Sequence, residues 1–196
     1  VDLKKLGDKE LAELVLDKND WYVRHSRRIL QERAAAGKLD PAMRKRLAEI
    51  AVGHADESRR LRAMWALEVT GGWPSELGAQ LLADKNEYVR AWAVQLSVSD
   101  KRRDLAELLP RFETLAAQDP SPVARLYLAS AAQRIPEQQR WKVLEGLAAH
   151  AEDAQDHNLP LMYWYAIEPL ADVDPARALA LALNGKIPQL HGYMIR

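Results

Sequence analysis

The chain is 196 residues long, 48% hydrophobic and 29% charged, with 28 Lys and Arg balanced by 28 Asp and Glu. That is enough apolar matter for a core and excludes a disordered segment, while zero net charge removes the basic excess that phosphate-backbone binding draws on. Cys is absent, which excludes disulfides, thiolate metal sites, Cys nucleophiles and thioether haem attachment together.

Taken in order, Asp8 is a candidate N-cap for a short helix carrying Leu11, Leu14 and Val15 on one face. Asp17 to Asp20 break it, and a second helix is expected from about Trp21 to Ala36 with Val23, Leu30 and Ala34 inward, stopped by Gly37. Asp40-Pro41 is a cap and first-turn signal for the next helix, which carries Leu47 and Ile50. Its partner follows Asp56 with Leu61, Met64 and Leu67, and Gly71-Gly72 ends it. Pro74 opens a third pair, whose second helix starts near Tyr88 and Val89.

Residues 101 to 117 read as the fourth first-helix, with Pro110 kinking or dividing it because an interior proline removes a hydrogen bond and clashes with the preceding turn. Asp119-Pro120 opens its partner, which ends before Pro136. Trp141, Leu144, Leu147 and Ala148 line the fifth first-helix, and its partner runs from Leu159-Pro160 to a cut at Pro169. Asp174-Pro175 starts one more helix, closed by Asn184-Gly185, and the tail from Lys186 reads as irregular. No stretch alternates as a strand does, so the expected fold is all-α. No run reaches the roughly 18 apolar residues of a membrane span, and the basic start before Gly7 and Asp8 is not a signal peptide. The opening without Met leads us to expect a piece of a longer protein.

The stretch LLADKNEYVRAWAVQL, residues 81 to 96, holds the end of one helix, a polar break and the head of a second. Near-copies stand at residues 14 to 30 and, more loosely, 115 to 132. Aligning second helices on Arg24, Arg62, Arg90 and Ala124 gives steps of 38, 28 and 34, and Arg60 as the second anchor gives 36, 30 and 34. A helical hairpin recurring at such intervals marks a solenoid, in which no unit buries its apolar face alone. We therefore expect one right-handed α-solenoid over residues 1 to 196, with about five hairpins.

Asp, a short turn, then Val-Arg at the head of a second helix with small residues following resembles the HEAT repeat. Residues Asp84 to Leu96 match best, Asp17 to Leu30 nearly as well, and Asp156 to Ile167 poorly. A narrower resemblance covers most of the chain. The succession DKNDWYVRHSRRILQERAAAG, LRAMWALEVTGG, DKNEYVRAWAVQL, SPVARLYLASAAQRIP, NLPLMYWYAIEPL and GKIPQLHGYMIR looks like the helical middle region of very large secreted proteins of planctomycete and verrucomicrobial bacteria. There a propeller resembling sugar dehydrogenases precedes the array and a c-type cytochrome domain with a CxxCH motif follows it. The resemblance implies a periplasmic or exported redox protein. Without Cys or a propeller, this piece would be the connector and interaction region.

Arg24, Arg62, Arg90 and Arg125 head the second helices and either form a basic ladder for an anion or pair with the Asp of a nearby turn: Asp17 or Asp20, Asp56, Asp84 and Asp119 respectively. The balanced charge favours pairing. Six Trp beside one Phe is unusual. Trp21, Trp65, Trp92 and Trp164 fall in second helices, which line the concave face of HEAT arrays, whereas Trp73 stands in a turn and Trp141 in the outer layer. Such Trp stack on a ligand or fill space between repeats. With Tyr163 from the MYWY cluster, the candidate concave surface is Trp21, Arg24, Trp65, Arg90, Trp92, Arg125, Tyr163 and Trp164.

No two His have the i, i+4 spacing of a helical metal pair, and no His-Glu dipeptide occurs, which argues against di-iron HEAT-repeat hydroxylases. His150, Asp153, Asp156 and His157 group together, and a polar loop accounts for them. No phosphate loop and no Gly-x-Ser-x-Gly elbow appears. The expectation is a non-catalytic scaffold that binds a protein or its own flanking domains, with no cofactor, metal or nucleic acid. The alternatives are a HEAT-like DNA glycosylase, opposed by the zero net charge, and a bilin-lyase-like array acting on a tetrapyrrole.

Overall fold

A computed structural model describes residues 2 to 195. Among them there are twelve α-helices and no strand. The helices are α1 (Asp8–Leu14), α2 (Asp20–Ala35), α3 (Pro41–Gly53), α4 (Glu57–Val69), α5 (Ser75–Leu81) and α6 (Glu87–Ser97). They continue with α7 (Leu109–Gln118), α8 (Pro122–Ala132), α9 (Trp141–Ala148), α10 (Leu159–Ile167), α11 (Pro175–Asn184) and α12 (Pro188–Met194).

Local chemistry sets most of these boundaries. Side chains of Asn19, Asp40, Asp56, Asn86, Ser121 and Asp174 accept hydrogen bonds from the first-turn N–H groups of α2, α3, α4, α6, α8 and α11. These donors have no partner inside the helix, so each cap contributes about 1 kcal/mol. Pro41, Pro122, Pro160 and Pro175 sit in first turns, where a missing N–H costs nothing. Gly37 and Gly71 end α2 and α4 with φ of 66° and 69°. That left-handed turn lets Lys38 N–H reach the Arg33 carbonyl at 2.8 Å and Gly72 N–H the Leu67 carbonyl at 2.8 Å.

Two expectations change. The segment 101 to 108 is irregular rather than helical, and Pro110 lies in the first turn of α7 instead of kinking a longer helix. The proline thus starts the helix there. The tail beyond Lys186 is not irregular: Pro188 opens α12, whose Leu190 is fully buried. Trp73 stands in the connection between α4 and α5, as expected, and Trp141 opens α9; both are buried, at 7% and 5% exposed.

The chain divides within α5 into two compact units, one up to Leu77 and one from Gly78 onward. In the first, α1 pairs with α2 and α3 with α4, while α1 packs on α3 and α2 on α4. In the second, α7, α9 and α11 pack in succession as one row and α6, α8, α10 and α12 as another. The spacing of small and apolar residues explains the rows: Val89, Ala93 and Leu96 on α6 and Ala124, Leu128 and Ala131 on α8 are all buried, so the two backbones approach along one face. Among the described residues no helix is long and apolar enough to cross a membrane.

Candidate functional site

In α2, α4, α6 and α8 the residue four places after the N-cap is turned toward the interior. In α4, α6 and α8 that residue is arginine: Arg60, Arg90 and Arg125. Arg60 donates to the Ala51 carbonyl at the end of α3, Arg90 to the Asp84 carbonyl and Arg125 to the Asp119 carbonyl, all within 2.8 to 2.9 Å. Each guanidinium therefore closes its own hairpin by satisfying carbonyls that the first helix leaves open.

Two of them also reach forward. Arg90 forks onto the Asp119 carboxylate with Nε and Nη2 both at 2.7 Å. Arg125 forks onto Asp153, with Nε at 2.7 Å, and the Tyr163 hydroxyl donates to the same carboxylate at 2.6 Å. The forward partners lie 29 and 28 positions away. Planar two-point pairing suits arginine and not lysine. The hydrogen bond to Asp119 raises the Arg90 pKa above its ordinary value. Burial works to lower that of Arg125, but the paired Asp153 outweighs it and the net shift is upward. Burial, then the neighbouring carboxylate, holds the Tyr163 hydroxyl far above the usual phenol range, so it acts only as a donor.

The pairing differs from the sequence expectation in three of four places. Arg24 does pair with Asp20, at 2.6 Å on the surface. Arg62 meets Asp20 and the Asp17 carbonyl rather than Asp56, which is held by Arg59. Arg90 takes the carbonyl of Asp84 and the carboxylate of Asp119, and Arg125 the carbonyl of Asp119 and the carboxylate of Asp153. The Asp of the preceding turn offers its backbone, and the Asp of the following turn its side chain. Arg24 behaves differently because α2 has one more residue between cap and Val-Arg, so Val23 occupies the inner slot and Arg24 is rotated out.

The candidate surface residues fall in different environments. In the first unit, Trp21 is 46% exposed and stacks on His25 at 4.1 Å, Arg24 is exposed, and Trp65 is half-buried with Arg27 over its ring. In the second, Arg125 and Tyr163 are buried and Arg90 nearly so, all three held in the clasps. Trp164 is half-buried beside Tyr193, and Trp92 stands edge-on to Tyr127 at 5.7 Å.

Trp92 opens onto a groove of about 430 Å³ across α6, α8 and α10. Gln95 from α6, Leu126, Tyr127 and Ser130 from α8, and Asn158 and Met162 at the start of α10 complete its lining. None of these residues is charged. The sequence places Asp153 only in a loop grouping with His150, Asp156 and His157, not opposite Arg125, and it does not single out Gln95, Leu126, Tyr127, Ser130 or Asn158. The repeated interval of 28 to 29 from an inner-slot Arg to an Asp is the signal that locates Asp153.

The ligand-type grouping disperses. His150 sits between the Ala116 carbonyl and Glu152, Asp153 is held by Arg125 and Tyr163, and Asp156 accepts the N–H groups of Asn158 and Leu159 at the head of α10. Among the described residues no group of three His, Asp or Glu is placed to hold a metal ion. The chain matches no protein-family model, no curated protein and no solved structure.

Proposed function

We propose that the chain is a non-catalytic scaffold of the HEAT-like, right-handed α-solenoid type, which holds a protein segment, or flanking domains of its own chain, on the face formed by its second helices. The observation that carries this reading is the clasp of Arg90 and Arg125, each tying its own hairpin shut and gripping the next turn. Guanidinium groups held by carboxylates that are themselves buried hold repeat in register with repeat, and they offer an anionic ligand little. The groove across α6, α8 and α10 has an aromatic and uncharged lining, which suits protein contacts better than phosphate chemistry.

The test is inorganic phosphate and heparin binding, followed by thermal shift, for the wild type and for Arg90→Ala. On the scaffold reading neither anion stabilises the wild type, and Arg90→Ala lowers the melting temperature. Anion-dependent stabilisation of the wild type that disappears in Arg90→Ala would sink it. The narrower setting, between a dehydrogenase-like propeller and a c-type cytochrome in an exported redox protein, is supported by the segment resemblances alone. A parent reading frame with neither a propeller nor a downstream CxxCH motif would remove that setting and leave the scaffold.

A further inference from the structure

The groove across α6, α8 and α10 combines an apolar floor with three neutral polar side chains, one from each helix: Gln95, Ser130 and Asn158. Each carries both a donor and an acceptor. Asn158 is the clearest case. It stands at the N-cap position of α10, yet its side chain makes no capping bond, because Asp156 accepts the N–H groups of Asn158 and Leu159 at 2.7 and 2.9 Å. The corresponding Asn86 and Ser121 use their side chains to cap α6 and α8. The Asn158 amide is thereby left to the groove.

Charge narrows the occupant further. The lining has no ionisable acid or base apart from the Tyr127 phenol, whose hydroxyl burial pushes upward. The arginines at the adjoining helix starts are paired, Arg90 with Asp119 and Arg125 with Asp153, and Glu87 accepts the Ser121 hydroxyl. An anion, a nucleic acid or a strongly charged peptide would leave its own charge uncompensated against Trp92, Leu126 and Met162. An extended peptide, unlike a helical one, leaves its backbone N–H and C=O groups free, and so satisfies side chains that would be costly to bury alone.

Resting on the scaffold reading, we propose that this groove binds an uncharged, apolar peptide segment in extended form. Gln95, Ser130 and Asn158 pair with its backbone, and Trp92, Tyr127 and Met162 take its side chains.

The test is an NMR titration of the isotope-labelled full chain, reading the Trp92 indole and the Gln95 and Asn158 amide signals. The probe is a pool of end-capped nonapeptides of Val, Leu, Pro and Gly, compared with matched pools carrying Lys or Glu at alternate positions. The neutral pool is expected to shift all three signals, and the charged pools to bind at least tenfold more weakly. Gln95→Ala/Asn158→Ala, which changes only groove-facing amides, is expected to weaken binding at least tenfold with an unchanged melting temperature. Equal affinity for charged pools, no shift at millimolar peptide, or binding indifferent to the double substitution would each overturn the proposal. So would Trp92-dependent self-association in sedimentation, which would give the groove to a second copy. These outcomes leave the scaffold reading intact, because that reading fails only through the anion test of Arg90.

Discussion

Arg125 and Asp153, 28 positions apart, form a fully buried two-point ion pair that ties the first turn of α8 to the connection between α9 and α10. Tyr163 closes the cluster from α10. Charges taken out of water gain little net stability as a pair, but either one left alone is expensive. The cluster therefore acts chiefly by penalising any arrangement in which the second unit's rows are out of step.

Arg125→Met should accordingly destabilise the protein by roughly 3–5 kcal/mol, since Asp153 keeps only the Tyr163 hydroxyl as partner. Arg125→Met/Asp153→Leu, which removes both charges, should regain most of that loss. Urea unfolding of the two variants decides the matter. A double variant no more stable than the single one would show that the ion pair itself supplies the stability.

The four arginines that the repeat pattern equates should differ sharply. Arg24 and Asp20 are both more than half exposed at the side chain, so Arg24→Ala should change stability by no more than about 0.5 kcal/mol. Arg90 is 12% exposed and Asp119 1%, so Arg90→Ala should cost about 3 kcal/mol. Equal losses in chemical denaturation would mean that the inner slot carries no special weight.

That contrast shows what the sequence does and does not reveal. Apolar spacing, caps and the Pro and Gly stops mark nearly every helix, because these are local effects read within one or two turns. Which Asp an Arg meets depends on the rotation of the helix past its cap. One residue more between Asn19 and Arg24 than between Asn86 and Arg90 changes that rotation by about 100°. The aromatic residues follow the same rule: Trp92 faces the groove while Trp73 and Trp141 lie in the core, and only packing across helices separates them.

Asp8 should shape the acid limb of the stability curve. Burial pushes its pKa up, but the Asp40 N–H at 2.8 Å and the Arg33 guanidinium outweigh that, and the net value lies below 3.8. A carboxylate with a depressed folded pKa contributes stability above its unfolded value, and that contribution is lost as pH falls through the folded one. Asp8→Asn should thus be less stable than wild type near pH 6, by about 1–3 kcal/mol for a lost charge-assisted pair. The two curves should converge as pH falls through the folded value, where wild type becomes protonated too. A constant gap across the whole range would assign the effect to packing and not to charge.

Gly146 tests how closely α7 and α9 pack. A Cβ placed there would meet the Ala116 carbonyl carbon and the Ala117 nitrogen at 3.0 Å and the Ala116 methyl at 3.2 Å. In an isolated helix, replacing glycine by alanine gains about 1 kcal/mol. Here the obstacle is backbone on the facing helix, so the two rows must separate by a few tenths of an ångström, and overpacking of this kind costs about 1–3 kcal/mol. The clash should win, giving net destabilisation for Gly146→Ala. Gly53→Ala, where nothing lies within 4 Å of the added carbon, serves as the control and should be neutral or stabilising. Thermal unfolding of the two variants side by side checks the sign. Stabilisation by Gly146→Ala would mean that α7 and α9 yield readily, and that the first-layer row is looser than the buried Phe112, Ala116 and Leu147 suggest.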